Sequence, residues 1–265
     1  FECELIGGDT TQGPLNISIT VIGDVPAGQA LLRSGAQVGD DIYVSGTLGD
    51  ARVALEVFRG HLSVAESVFL STRKRMEQPT PRIDLGVALR GLATSAADIS
   101  DGLLGDLGHI LQASRVGADI EASLALPLLA CGSQLNLPQS QQLEFILSGG
   151  DDYELVFTAP QHRREDVLAA GLTSHTPVTR IGSVRAGQGD QLRAVEGKAM
   201  THQFKSFDYF AGVLPMPFAS AHLAAINAKY FLSHPAHLLA RGLGPGLSPR
   251  AHGTVGTLWA WLAWL

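Results

Sequence analysis

Cysteine is nearly absent from this chain: two occur in 265 residues, Cys3 and Cys131, with no CxxC spacing. That scarcity excludes a disulfide framework and a zinc site, and it fits a reducing, cytoplasmic setting. Positive charge is short as well, with 19 basic residues against 25 acidic ones and a net charge of -6. The one basic cluster, Arg73-Lys74-Arg75, is too short for a nucleic-acid surface and reads as a solvated helix end. Long apolar runs are missing too. The run that closes the chain, Leu258-Trp259-Ala260-Trp261-Leu262-Ala263-Trp264-Leu265, is too short to cross a bilayer, and reads either as a buried helix or as the opening of a span. His234 and His237, the closest histidine pair of interest, have no acidic or sulfur neighbour to complete a metal site. The first residue is Phe1, and Leu5-Ile6 already runs into a Gly-Gly-Asp turn, so the chain reads as truncated at its beginning.

What is present is enough to fold. With 45% hydrophobic residues, the chain can bury a full core as one large or two moderate domains. Leu15 to Val25 alternates, with Ile17, Ile19 and Val21 on one face, and predicts a half-buried strand ended by Pro26. Asp40 to Gly46 predicts a short strand, Leu48 to Phe58 and Leu62 to Met76 two helices, and Ile83 to Leu92 a third after the Pro79/Pro81 break. A strand over Ala93 to Ile99 and a helix over Gly102 to Ser114 follow. Ala118 to Ala122 predicts another strand, and Pro127 to Gln142 an irregular or helical connection. Phe145-Ile146-Leu147 and Tyr153 to Thr158 read as two strands around a glycine turn. Arg163 to Ala170 is expected helical, Val178 to Val184 and Gln191 to Val195 extended. This alternation predicts a layered α/β domain. Beyond Phe210 the composition shifts, with a linker over Gly212 to Pro217 and an alanine-rich helix over Phe218 to Leu232.

The chemistry concentrates in Asp98-Ile99-Ser100-Asp101-Gly102-Leu103, where an apolar strand gives way to a helix. Two carboxylates three residues apart suit Mg²⁺, which takes oxygen ligands from one or two carboxylates plus nucleotide phosphates. Ser100 and the N–H groups of the helix start could meet phosphate oxygens. The plainer alternative is that these are ordinary helix caps. Two further Gly-Asp clusters, Gly7-Gly8-Asp9-Thr10-Thr11 and Ser148-Gly149-Gly150-Asp151-Asp152, give the motif company.

Together GGDTT at 7–11, RSGAQVGDD at 33–41, DISDGLLGDLGHI at 98–110, SGGDDYEL at 148–155 and SFDYF at 206–210 resemble thiamine-monophosphate kinase. That family stands in the group of aminoimidazole ribonucleotide synthetase and selenophosphate synthetase. The resemblance covers roughly residues 1 to 211. It implies an aminoimidazole ribonucleotide synthetase-like C-terminal α/β sandwich with a mixed or antiparallel sheet (29–211), preceded by the last strands of an N-terminal ATP-binding and dimerisation domain (1–28). It implies transfer of the γ-phosphoryl group of ATP to thiamine monophosphate, giving thiamine diphosphate. Such chemistry asks for alignment and charge neutralisation. By the resemblance Asp9, Asp98 and Asp101 are Mg²⁺ ligands gathered around one pool of cations, Gly8 and Ser100 lie against ATP, and Arg33 pairs with the nucleotide phosphates. Without the resemblance Arg33 would be a surface ion pair. Asp151 and Phe207 match positions that contact the thiamine substrate, and a carboxylate and an aromatic face both attract a cationic thiazolium. Their alternatives are a hairpin-tip acid and a core aromatic. Asp152 reads as a turn residue or a supporting partner.

The family's first domain, with further acidic clusters and the homodimer contact that shapes the nucleotide site, is missing here. A poor kinase is expected of the chain alone. His234 to Leu239, Gly242 to Pro249 and Gly253 to Leu258 resemble the beginning of phosphatidylglycerophosphatase A over residues 230 to 265. Any membrane contact would lie in residues 212–265. Two rival readings stay open: another ATP-using member of the same group, or a fragment without catalysis.

Overall fold

The computed structural model describes residues 4–13 and 16–193, all within the first of the two units of the chain, Phe1–Phe207. Phe207, the linker and helix expected beyond Phe210, and the lipid-phosphatase-like segment lie outside the described residues. Six strands form one sheet: β1 (Asp41–Ser45), β2 (Ser95–Ile99), β3 (Gly117–Glu121), β4 (Glu154–Ala159), β5 (Val178–Arg185) and β6 (Gly189–Arg193). Their order is β2-β4-β1-β5-β3-β6. Every pairing is antiparallel except β3 with β6, so the sheet is mixed, as expected of the α/β sandwich.

The helices are α1 (Asp50–Phe58), α2 (Glu66–Glu77), α3 (Ile83–Ala88), α4 (Leu103–Ser114), α5 (Ala122–Ala125), α6 (Gln139–Ser148) and α7 (Arg164–Thr173). Because successive strand residues point to opposite faces, β1 serves two cores at once. Ile42 and Val44 join a cluster with Val53 of α1, Leu107 and Ile110 of α4, and Ile146 of α6. Tyr43 joins the other, with Leu85 and Leu89 at α3 and Val167 and Ala170 of α7. Tyr43 and Phe157 are cross-strand partners and their rings stack with centroids 5.3 Å apart, worth about 0.5–1.5 kcal/mol beyond burial. A strand covered on both faces reads as a nearly continuous apolar run. Val156 and Phe157 of β4 go to opposite cores for the same reason.

Two buried carboxylates pin the layers. Asp41 receives both Nε and Nη2 of Arg164, at 2.5 and 2.9 Å, tying α7 to the first residue of β1. Glu154, the first residue of β4 and fully buried, takes two bonds from Arg82 at 2.7 and 2.6 Å. It takes one more from Arg75 at 2.8 Å and one from the Ser45 hydroxyl at 2.6 Å. Gly46 has φ 58°, and a Cβ there would stand 2.1 Å from Glu154 Oε1. The glycine is required by the ion cluster as much as by its backbone.

Two expectations change. The Phe145-Ile146-Leu147 triplet is the last part of α6, not a strand; a three-residue apolar run has no period of its own, and the preceding Gln-rich turn carries it into the helix. The alternating segment from Asn16 onward joins no ladder with any described residue, and Ile17, Ile19 and Val21 are each more than three-quarters exposed. Alternation states which face would be buried; a strand also needs a partner to receive its hydrogen bonds. Among the described residues no helix is long and apolar enough to cross a membrane.

Removing Glu154 would strand two arginines, only 14% and 23% exposed as side chains. Glu154→Ala is expected to lower unfolding free energy by about 3–5 kcal/mol, measured by urea denaturation; a loss under about 1 kcal/mol would show that water takes over the arginines.

Candidate active site

β2 and β4 pair with Asp98 opposite Leu155 and Ile99 opposite Glu154, so the chain leaving β2 and the chain entering β4 run side by side. The Asp151 N–H donates to the Ser100 carbonyl at 2.9 Å and the Tyr153 N–H to the Ile99 carbonyl at 3.0 Å. A Cβ on Gly150 would lie 2.7 Å from Ser100 O, and one on Gly102 would lie 3.0 Å from the Ser148 backbone. The two turns touch backbone to backbone, and glycine is what permits it. DISDG and SGGDD are thereby one structural corner.

The helix-cap alternative for the first motif does not hold. The N-cap of α4 is Gly102, φ 120°, and no side chain caps the helix there. The residue that organises the turn is Asp106, within α4, whose carboxylate accepts from the N–H groups of Ser100 at 2.8 Å and Asp101 at 3.1 Å. Those two N–H groups are therefore committed within the protein, so any contact of Ser100 with a phosphate falls to its side chain. Burial pushes the Asp106 carboxyl above its usual range; the two N–H donors pull it back, and Asp101 and Asp98 push it up again. Asp98 is 62% exposed and stands 3.8 Å from Arg33 Nη2. Arg33 is thus brought to the corner, in the loose surface pairing that its plainer reading described.

Asp9 is not brought there. Its Oδ1 accepts the Thr10 N–H at 2.8 Å in an exposed turn, and Gly8 beside it is likewise exposed. Among the described residues no three acidic, histidine or cysteine side chains are grouped to hold a metal. The expected gathering of Asp9 with Asp98 and Asp101 is not assembled. The segment bearing Asp9 joins no ladder with any described residue, whereas Asp98 and Asp101 are fixed by β2 and by Asp106.

In the second motif the acids divide. Asp152 points inward and is buried; its carboxylate accepts the N–H of Gly49 at 2.7 Å and of Ala51 at 3.3 Å, closing the start of α1. Burial, with Asp50 nearby, raises its pKa to about 7 against the pull of those N–H groups and Arg75. Asp151 and Tyr153, on either side, have left-handed backbones at φ 68° and 52°. Among the described residues the other two non-glycine residues of this kind, Arg115 and His175, sit at helix ends where such a turn is ordinary. A left-handed tyrosine costs about 1 kcal/mol or more and persists only where its surroundings enforce it. Here they do, through the flanking bonds to Ser100 and Ile99 and through Arg75, whose Nη2 donates to the Asp152 carbonyl at 3.2 Å. Cys131 has no part in this chemistry: burial and Asp50 push its thiol up to about 12, leaving no thiolate to react.

The AIR synthase related protein, C-terminal domain, model matches residues 37–195. The chain belongs to that family. Its relatives include the thiamine-monophosphate kinase of Escherichia coli, 44% identical over 212 residues that make up 80% of this chain and 65% of the relative. The chain thus spans a little under two thirds of that relative's length. Among solved structures, thiamine-monophosphate kinase from Stenotrophomonas maltophilia is 41% identical, with a TM-score of 0.59 over 66% of this chain and 56% of that one. AaThiL, solved complexed with AMPPCP and TMP, is 32% identical, with a TM-score of 0.53 over 68% and 54% of the two chains. The thiamine-monophosphate kinase resemblance and the expected fold are both borne out.

Sequence reading missed Asp106, Arg75, Arg82 and Glu154. Only Asp106 carried a signal: an acid four residues beyond the glycine of DISDG, in the first turn of a helix, where it can reach back to orphan N–H groups.

Because the Asp152 pKa is raised from an ordinary 3.8 to about 7, the folded state holds its proton more tightly than the unfolded chain does. This group's contribution is whole below about pH 4 and is lost as pH rises toward 7, at up to about 1.4 kcal/mol per pH unit. Asp152→Asn is expected to flatten stability across that window in denaturant titrations compared with the parent; identical pH profiles would refute it.

Proposed function

We propose that this chain carries the acceptor-side half of a thiamine-monophosphate kinase site, which passes the γ-phosphoryl group of ATP to thiamine monophosphate. The observation that carries the reading is the contact of the DISDG and SGGDD turns, in which the Asp151 N–H reaches the Ser100 carbonyl, with Arg33 at 3.8 Å from Asp98. The bond that forms joins the γ-phosphorus to an oxygen of the thiamine phosphate, and the bond that breaks frees ADP. The acceptor oxygen is already ionised near neutral pH, so no side-chain base is required, and positioning with charge neutralisation does the work.

Mg²⁺ fits the donor set. Asp98 is well exposed and neither it nor Asp101 is used up in capping α4, and a Mg²⁺ ion characteristically takes one or two carboxylates and completes its shell with water and phosphate oxygens. Asp98 and Asp101 would hold it. Bound there, Mg²⁺ would offset the negative charge of the phosphates. Ser100 is assigned to ATP through its side chain, since its N–H is occupied by Asp106. The Arg33–Asp98 pair is mutually exposed at 56% and 62%; surface pairs of this kind hold by about 0–1 kcal/mol, so Arg33 can leave Asp98 for a phosphate at little cost. Asp151 attracts the thiazolium. The same reading assigns a cytoplasmic setting and a homodimer, with Gly8, Asp9 and Phe207 completing the site.

A second reading, a domain that binds nucleotide without turnover, is favoured by the position of Asp9 apart from the other acids. Calorimetry separates the two. The kinase reading expects Mg²⁺-dependent heat with ATP, separate heat with thiamine monophosphate, and an ATP affinity about tenfold or more weaker in Asp98→Asn. ATP binding with no response to thiamine monophosphate would select the second reading, and no heat with either ligand would end both.

A further inference from the structure

Tyr153 follows Asp151 and Asp152 in the acidic corner, with no role assigned to its ring so far. It is an aromatic residue about half exposed, and among the described residues no other ring stacks on it, whereas Tyr43 is buried against Phe157. Its backbone sits at φ 52°, a conformation that glycine would adopt without strain and a bulky residue resists. Two neighbours make the placement informative. Its hydroxyl lies 3.5 Å from Asp151 Oδ1, donating toward that carboxylate. The phenol is held above its ordinary range first by burial, then by Asp151, with Asp101 and Asp98 adding to the effect, so three carboxylates bear on the same ring. A folding role offers no return for the strain, because a half-exposed ring leaves much of its surface in water.

Resting on the kinase reading above, we propose that Tyr153 is a specificity-determining residue of the acceptor site, its ring face receiving the flat cationic heterocycle of thiamine monophosphate while Asp151 balances the charge. The electron-rich face of a phenol attracts an organic cation, and the surrounding carboxylates raise the preference for a cation over a neutral ring. The left-handed backbone is what turns the residue outward: Asp152, between the two left-handed residues, goes in to the start of α1, and Asp151 and Tyr153 are left on the ligand side.

The test uses the full chain as parent, Tyr153→Phe and Tyr153→Gly, titrated calorimetrically with thiamine monophosphate and separately with ATP plus Mg²⁺, with a thermal melt of each. The phenylalanine variant keeps the ring and is expected within about threefold of the parent. The glycine variant is expected to lose about tenfold in thiamine monophosphate affinity, to keep its ATP affinity, and to melt no lower than the parent because the strain is gone. Undiminished thiamine monophosphate affinity in Tyr153→Gly overturns the proposal. So does a lower melt with equal losses for both ligands, which marks a structural residue, and so do equal losses in both variants, which assign the role to the hydroxyl. A parent that binds ATP and not thiamine monophosphate overturns the kinase reading itself, and the proposal with it, a result distinguishable from the others because it appears before any substitution.

Discussion

The antiparallel register of β2 on β4 is the constraint from which the corner follows. It places Ile99 opposite Glu154, and Glu154 is the most heavily bonded carboxylate described, held by Arg75, Arg82 and Ser45. An ionised group without solvent is tolerable only when its oxygens are filled with donors. That requirement fixes the first residue of β4, and a slip of one residue would turn Glu154 out and Leu155 toward the arginines. With β4 fixed, the turn ahead of it is fixed, and with β2 fixed beside it, the two acidic turns meet.

The acids of this corner do two kinds of work, and environment sorts them. Asp106, Asp152 and Glu154 are buried and spend their oxygens on backbone N–H groups and arginines. They make the corner stiff. Asp98, with its side chain 62% exposed, faces solvent, and Asp101 and Asp151 are incompletely buried; these are the groups a ligand can reach. A short motif thus mixes scaffold and chemistry in adjacent residues: Asp151 and Asp152 are neighbours in sequence and opposite in role. The left-handed φ values at 151 and 153 achieve that separation within three residues, where an ordinary strand would need the same alternation without the sharp turn.

Much of this was legible from the residues. Strands β1, β2, β4 and β5 and helices α1, α4 and α7 were readable because each carries an unbroken apolar pattern ending in glycine, proline or an acidic turn. The meeting of DISDG with SGGDD was not readable, since nothing local in either motif names the other; it follows from the pairing of β2 with β4. What was not legible is long-range. Arg75 belongs to a basic triplet that looks like a solvated helix end, and becomes a partly buried partner of Glu154 only once the fold brings it to the first residue of β4. The segment from Asn16 to Val25 gave a clear strand pattern and pairs with nothing described, because periodicity encodes a buried face and leaves the partner unspecified. Asp9 shares that fate: its motif is strong, and its segment joins no ladder with any described residue.

The charge balance of the corner bears on how a nucleotide can be received. Asp98 and Asp101 both act on Asp106 and on the Tyr153 phenol, and Asp151 acts on that phenol as well, while Arg33 stands at the rim, 3.8 Å from Asp98. A polyphosphate approaching this surface meets more negative charge than positive. Like charges a few ångströms apart cost several kcal/mol where the effective dielectric is about 20, far beyond what a single exposed arginine returns. A divalent cation changes the sign of that sum by sitting between carboxylate and phosphate. In the proposed kinase reading the thiamine end meets the opposite situation: its ring is cationic, and Asp151 with the neighbouring acids would favour it directly. One acidic corner can therefore serve two ligands of opposite charge, provided that the phosphates arrive with their own counter-ion.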